Sequence, residues 1–592
     1  MQQESGHFLA SPYGGAYAIG TDDQRVWGGL AEPDGPAGPA GTLELDPSLS
    51  YARWLEQGFT RAAADAVSTF SIDVDTGSYS LVRQSLVEGG LPSPYGVRVE
   101  EMINYFDYAY PEPSGDVPLS ITSEVGPCPW DDDHRLVHVG LQGKHIAAGA
   151  TPPRNLVFLV DVSGSMAGEL PLVVSSLAYL TEQLGAEDRI SLVVYAGAAG
   201  MVLPPTSGAD KRKILGALDA LEAGGSTNGG EGIHLAYALA QQSFIEGGIN
   251  RVLIATDGDF NVGVTGQDAL VELIEAKRRS GVYLSVLGFG RGNYQDETME
   301  QLADKGDGNY AYIDGLAEAR KVLVEQAGST LVTIAKDVKI QVEFDPEQVE
   351  RYRLVGYTNR VLADRDFADD TKDAGEVGAG HTVTALYEVE LGDEAGRGDP
   401  LMELRLRYKE PSGRKSKLVT VPVLDGGAAL PETSDDFRFS AAVAGFGQAL
   451  QGLPGKTAPG SLQALRDLAR DARGADRQCW RAEFVDLVER ASALRGHALP
   501  ASSIACTPRG SDEPLVYAPP LHAEESDEPA AEGQPTPAEP ALEVPPYHSG
   551  SEPFDWARFV KEVLYLLPPL LALPLFVMAL RRPRRRRRQD EQ

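Results

Sequence analysis

An α/β fold built on a doubly wound, Rossmann-like parallel sheet is predicted for the middle of this 592-residue chain. Two apolar runs predict it, L-V-F-L-V-D-V-S-G-S-M at 156–166 and R-V-L-I-A-T-D-G-D-F at 251–260, each ending abruptly at an aspartate. Residues 154–328 then alternate strand-like and helix-like patterns, which calls for a sheet covered on both faces. Strands are expected at 155–160, 190–195, 251–256, 282–288 and 310–313. Helices are expected near 169–184, 210–222, 230–244, 266–279, 295–304 and 316–327.

On either side the pattern changes to apolar/polar alternation, in two runs from Leu119 to Gly143 and at 334–344, 351–356, 381–391, 401–408 and 416–423. The simplest architecture is a β-sandwich-like region built from chain on both sides, with the α/β domain inserted in it. The organisation read from composition is a disordered leader at 1–50, an N-terminal region with strands at 51–150, the α/β domain at 151–330 and a β-rich region at 331–430. A helical region at 431–506 and a Pro/Glu/Ala-rich disordered tether at 507–556 follow. Such a tether spans about 40 Å as a flexible coil, or up to roughly 140 Å if fully polyproline-like.

Val563–Leu580 is an uncharged apolar run of 18 residues, the minimum for a spanning helix, and a transmembrane anchor is expected over 557–582. The basic tail at 583–592 belongs to a segment, 581–592, that holds seven arginines. By the positive-inside rule the arginines face the cytoplasm and the body lies outside. Met1 to Gly20 shows no export signal, so the recorded start is expected to be truncated or processed; a cytoplasmic, tail-anchored body is the alternative. The formal charge of −33 excludes nucleic acid as a partner of the body, and the arginine run beside an apolar span points to anionic lipid. Three cysteines form no C-x-x-C pair: Cys479 and Cys506 can bond to each other in an exported protein, and Cys128 is left as a buried thiol.

The first apolar run delivers Asp161, Ser163 and Ser165 into one loop, three hard oxygen ligands for a divalent ion. G-G-S-T-N-G-G at 224–230 adds Thr227, and the second run adds Asp257. Loops converge at the carboxyl ends of the strands in open α/β sheets, where these residues fall. Two carboxylates and three hydroxyls leave Mg²⁺, or Mn²⁺ or Ca²⁺, with retained waters that a partner's carboxylate can replace.

This D-x-S-x-S, Thr, Asp pattern resembles the metal-ion-dependent adhesion site (MIDAS) of von Willebrand factor type A (VWA) domains. The resemblance implies direct contacts to the ion from Ser163, Ser165 and Thr227, with Asp161 and Asp257 acting largely through water. Further segments, D-G-D-F-N-V-G at 257–263, G-F-G-R-G-N-Y at 288–294, Q-L-A-D-K-G-D-G-N-Y-A-Y-I at 301–313, T-L-V-T-I-A-K-D-V-K-I-Q-V-E-F at 330–344 and G-A-G-H-T-V-T-A-L-Y at 378–387, resemble a bacterial group of these proteins. In that group an N-terminal segment accompanies the VWA domain and a C-terminal domain of unknown function follows it; the likeness covers about residues 66–496. It implies a protein that binds a partner presenting Asp or Glu, here from a membrane anchor and at the cell surface. The alternative is a scaffold or chaperone-like subunit of a membrane-associated complex working with an ATPase. No enzyme activity is expected.

Other motifs weigh less. Asp75-Thr76-Gly77-Ser78 spells the loop of aspartic peptidases, but no second D-T-G or D-S-G occurs, so a turn after a short strand is the better account. No G-x-S-x-G elbow surrounds Ser163 or Ser165. Gly288-Phe289-Gly290 lacks its third glycine, since Asn293 stands there. His134 and His138 fall four apart in a strand, about 13 Å, and are expected at the surface. His234 follows the Thr227 loop and is read as a packed or capping histidine.

Overall fold

The computed structural model describes residues 58–500 apart from 73–74, 148–149, 197–198, 225–228, 260–266, 291–294, 327–330, 358–359, 373, 394, 397–398, 412 and 453–458, together with Cys506 and an antiparallel pair, β1 (Leu9–Ala10) and β2 (Ala16–Tyr17). Thr227, the tether, the anchor and the basic tail lie outside the described residues. So does the leader, save for the β1–β2 pair. Among the described residues no helix is long and apolar enough to cross a membrane.

The chain first lays down β3 (Thr60–Arg61), β4 (Val67–Ser71), helices α1 (Gly77–Val87) and α2 (Val99–Asn104), and the long hairpin β5 (Leu119–Cys128) and β6 (Asp131–Gly143). It then enters the α/β domain through β7 (Arg154–Asp161), α3 (Leu170–Glu182), β8 (Arg189–Tyr195), β9 (Ala199–Ser207), α4 (Lys211–Asp219) and α5 (Gly229–Gln242). The domain continues with β10 (Ile249–Thr256), α6 (Gln267–Arg278), β11 (Tyr283–Gly288), α7 (Asp296–Lys305), β12 (Tyr310–Tyr312) and α8 (Leu316–Arg320), which runs on into a π turn at Lys321–Glu325. Strands β13 (Thr333–Phe344), β14 (Val349–Leu354), β15 (Gly375–Gly378), β16 (Thr382–Leu391), β17 (Pro400–Lys409) and β18 (Lys417–Leu424) follow. Helices Asp435–Gln451, Pro459–Asp471 and Trp480–Leu494 complete the described fold.

Six strands form the α/β sheet in the order β12-β11-β10-β7-β8-β9, parallel except for β9. The apolar run of β7 is continuous because both of its faces are covered: Leu156, Phe158 and Val160 pack with α3 and α4, while Val157 and Leu159 pack with α5, α6 and α7. β9 has no counterpart in the sequence reading. Pro204 and Pro205 argue against a strand there, but β9 closes an edge of the sheet, where missing N–H donors are tolerated.

Two antiparallel sheets, β3-β14-β16-β6-β5 and β15-β13-β17-β18 with β4 beside β13, face each other across a shared core. Each combines strands from before and after the α/β domain. In β6, Val137, Val139 and Leu141 point into this sandwich, while Leu136 points to the opposite side, where α1, α2 and the C-terminal helices cover the sheet. His138 shares the Leu136 face, which corrects its expected surface position: it is 3% exposed, its Nε2 is 3.0 Å from the Tyr110 hydroxyl, and burial pushes its imidazole down to about 4. His134 is buried as well.

Buried guanidinium groups join the layers. Arg83 of α1 donates two bonds to Asp314 (2.6 and 2.7 Å), one to Glu318 (2.7 Å), one to the Tyr105 hydroxyl (2.8 Å) and one to Glu483 of the last helix (3.1 Å). Arg98 binds Glu101 and Asp296, the first residue of α7. The aspartate of the D-T-G-S motif belongs to this mooring: Asp75 Oδ1 accepts from the Tyr310 N–H (2.8 Å) and Oδ2 from Arg360 (3.2 Å). Cys479 and Cys506 form a disulfide that ties the start of the last helix to the chain beyond it, and Cys128 is a buried free thiol. Replacing Arg83 with leucine leaves Glu318 buried without its cation and is expected to destabilise the fold by about 3–5 kcal/mol. Denaturant unfolding measures this, and a loss under about 1 kcal/mol would show that the node does not hold the layers together.

Candidate metal centre

Strand β7 ends at Asp161 in register with Tyr195 of β8. The carboxylate is fully buried, and each of its oxygens is held: Oδ1 accepts the Ser163 N–H at 2.9 Å and Oδ2 the Thr256 hydroxyl at 3.1 Å. Ser163 is buried and Ser165 exposed, with their hydroxyl oxygens 3.1 Å apart, so the loop presents a pair of adjacent oxygens leading out to solvent. Asp257 follows the last residue of β10, its Oδ1 accepts the Asp259 N–H at 3.1 Å, and the Ser165 hydroxyl also bonds to it. Asp161, Ser163, Ser165 and Asp257 therefore come together at the carboxyl ends of neighbouring strands.

Thr227 lies outside the described residues. The chain on both sides of its loop reaches this region: the Gly224 N–H bonds to the Val162 carbonyl at 2.7 Å, and α5 resumes at Gly229. Gly258 and Gly290 adopt φ of +83° and +112°, which only glycine holds without strain. A Cβ on Gly258 would meet Gln295 and one on Gly290 would lie 3.2 Å from the Cβ of Asp257, so both positions let loops close around the aspartate.

Burial sets the electrostatics of the two carboxylates. Burial pushes the Asp161 carboxyl up from 3.8 to about 6, with the charge of Asp257 adding to it, and burial raises Asp257 too. Among the described residues, none of the groups acting most strongly on either carboxylate is cationic. Four oxygen donors, two of them anionic, suit a hard divalent ion such as Mg²⁺. Two neighbours escaped the sequence reading. Thr256 bridges Asp161 and the Gly258 N–H (3.0 Å), and the Tyr195 hydroxyl interacts with Asp161 and Thr256. The T-D-G triplet at 256–258 carried the signal for the first; nothing marked Tyr195.

His234 is exposed on α5, contrary to its expected packed or capping role. The described bonds of Ser163 and Ser165 involve each other and the aspartates, with no histidine among them.

Such a sheet with this donor set at its carboxyl edge defines a VWA domain protein, and comparison with known proteins agrees: residues 155–326 match the von Willebrand factor type A domain, residues 47–138 a von Willebrand factor segment, and residues 329–494 the C-terminal domain of "Uncharacterized protein YfbK". That protein, from Escherichia coli (strain K12), is 41% identical over 470 residues, covering 75% of this chain and 81% of the relative. The chain belongs to the YfbK family of VWA domain proteins. Within the VWA region it is also similar to the human inter-alpha-trypsin inhibitor heavy chain H4 (28% identity over 149 residues, 24% of this chain and 16% of the relative). The magnesium-chelatase 60 kDa subunit of Cereibacter sphaeroides is 32% identical over 154 residues, 22% of this chain and 25% of the relative. A solved von Willebrand factor type A protein from Catenulispora acidiphila is 15% identical and covers 62% of this chain and 89% of its own, with a TM-score of 0.38. VWA domains typically serve protein interactions and often bind a divalent metal at a MIDAS.

With divalent ions chelated, Asp161 opposes folding once ionised, because its folded-state value of about 6 exceeds the unfolded 3.8. Its contribution to stability is whole below about pH 4, falls as pH rises towards 6, and is lost above. In chelator at pH 7.5, Asp161→Asn is expected to be more stable than the parent by on the order of 2 kcal/mol, with the two stabilities converging near pH 4. A parent chain that is the more stable of the two at pH 7.5 would mean that a countercharge already serves the carboxylate.

Proposed function

We propose that this protein is a membrane-anchored, metal-dependent binder whose MIDAS, Asp161, Ser163, Ser165, Thr227 and Asp257, holds Mg²⁺ and captures an Asp or Glu of a partner protein. The observation that carries the reading is the meeting of two buried carboxylates and two hydroxyls in one loop cluster, with no cation among the described groups that act most strongly on them. A bound Mg²⁺ supplies there a coordination position that a partner's carboxylate can fill. The protein's own groups fix the donors beforehand: Ser163 and Thr256 orient Asp161, and the Asp259 N–H orients Asp257. In this reading the protein is a binder and not an enzyme.

The anchor is Val563–Leu580 and the head lies outside the cytoplasmic membrane with the arginine tail inside. Support for the outer location comes from the Cys479–Cys506 disulfide, a bond that oxidising compartments favour. The second reading, a subunit of a larger membrane-associated assembly, draws on the likeness to a magnesium-chelatase subunit.

Isothermal titration of the full chain with Mg²⁺ or Mn²⁺ is expected to show one site that Asp161→Ala removes, and cross-linked partner adducts on intact cells are expected to disappear with chelator and with the same substitution. Adducts indifferent to both would sink the capture model. Protease added to intact spheroplasts is expected to remove the head; protection until lysis would move it to the cytoplasm and favour the assembly reading.

A further inference from the structure

A second cluster of ligating side chains lies in the sandwich, apart from the VWA loops. His134 and Leu136 share one face of β6, and Glu388 of β16 sits opposite Leu136, so His134 and Glu388 are diagonal neighbours on that face. The His134 Nδ1 atom is 2.5 Å from Glu388 Oε1 and 3.8 Å from Asp131 Oδ2, and one ligand atom from each of the three lies within 4.8 Å of the others. His134 and Glu388 are buried, while Asp131, at the start of β6, is half-buried and opens the group to solvent.

The surroundings hold these atoms in place. Glu388 Oε2 accepts from the Trp130 indole N–H (3.0 Å) and twice from Arg353 (2.6 and 2.8 Å), which pins the carboxylate and leaves Oε1 turned to the imidazole. Arg353 also donates to Gln448 of the helical layer, and the Phe59 ring lies 5.1 Å from that of His134. Supporting bonds of this kind are what orient ligands around a metal, where an imidazole and two carboxylates satisfy three positions and solvent the fourth.

We propose that Asp131, His134 and Glu388 form a second divalent-cation site, distinct from the MIDAS in place and in ion class. Its imidazole nitrogen selects a borderline ion of the Zn²⁺ type, whereas the oxygen-only VWA cluster suits Mg²⁺. Metal–ligand distances of about 2.0–2.2 Å set tetrahedral ligand atoms roughly 3.3–3.6 Å apart, so an ion replaces the direct Nδ1–Oε1 bond and moves those two atoms apart by about 1 Å, while Asp131, at the half-buried start of β6, moves in slightly. An ion there clamps the β5–β6 turn to β16, on the sheet that carries the helical layer. The inference does not depend on the VWA site holding metal.

The test is a Zn²⁺ titration of the full chain carrying Asp161→Ala, so that the first cluster does not contribute, followed by the ¹⁵N resonances of the histidine rings. Expected is a shift of the His134 Nδ1 resonance that saturates at one equivalent, with affinity weakened at least about tenfold in Asp131→Asn. That substitution is at the half-buried first residue of β6 and leaves the buried pair in place. An unshifted His134 Nδ1 at saturating Zn²⁺, as a plain histidine–carboxylate hydrogen bond would give, overturns the site. So does a shift whose affinity Asp131→Asn leaves unchanged.

Discussion

Guanidinium groups buried among carboxylates are what the rest of this structure depends on. Arg83 brings together α1, the Asp314–Glu318 corner of the α/β domain and Glu483 of the last helix. Arg98 joins α2 to the start of α7, and Arg360 reaches Asp75 and Glu300. Relative to apolar packing such pairs add little net stability, but each planar fork accepts its carboxylates in few orientations and leaves a buried charge behind if it breaks. They therefore select one placement of the inserted domain. The peptide chain does the same at the two crossings into and out of the sandwich, so the domain is fixed by its connections and by its charges together.

The mooring and the VWA loops are parts of one segment of chain. Asp296, which takes Arg98, follows Gln295, whose N–H bonds to the carbonyl of Asp257 at 3.0 Å. The aspartates of the mooring have cationic partners within the protein; Asp161 and Asp257 are buried to a comparable degree, and among the described residues their partners are hydroxyls and N–H groups. One residue type thus serves two ends, according to what faces it. Where an arginine faces the carboxylate the charge is settled on folding, and where the described partners are dipoles the buried carboxylate is held above its ordinary value.

What the sequence disclosed follows from range. Asp161, Ser163 and Ser165 were legible because a strand buried on both faces must be apolar throughout and its end is marked by the first charge. The sandwich was legible as alternation. Tyr195 was not, since its part in the site comes from pairing in register with Asp161 across strands 34 residues apart. The burial of His138 was hidden likewise: alternation in β6 places it opposite Val137 and Val139, and only the helices Asp435–Gln451 and α2, far away in sequence, turn that second face into an interior. Asp75 shows the reverse error avoided, for its motif matched a catalytic loop locally while its partners, Tyr310 and Arg360, lie more than 200 residues on.

Preorganisation links these levels. The donors at the sheet edge are held by bonds that form on folding, from Ser163 and Asp259 N–H groups and from Thr256, and the loops around them close because Gly258 and Gly290 take backbone conformations denied to other residues. Asp161 and Asp257 are therefore oriented by the fold itself, and a ligand need not bear the entropy of ordering those two side chains. The same reasoning explains why the α/β domain is embedded rather than tethered. A capture site that works by offering fixed charge to a carboxylate gains from a scaffold that cannot yield. Arg83 and Arg98 stiffen that scaffold close to the loops themselves, through Asp314 just past β12 and Asp296 at the start of α7.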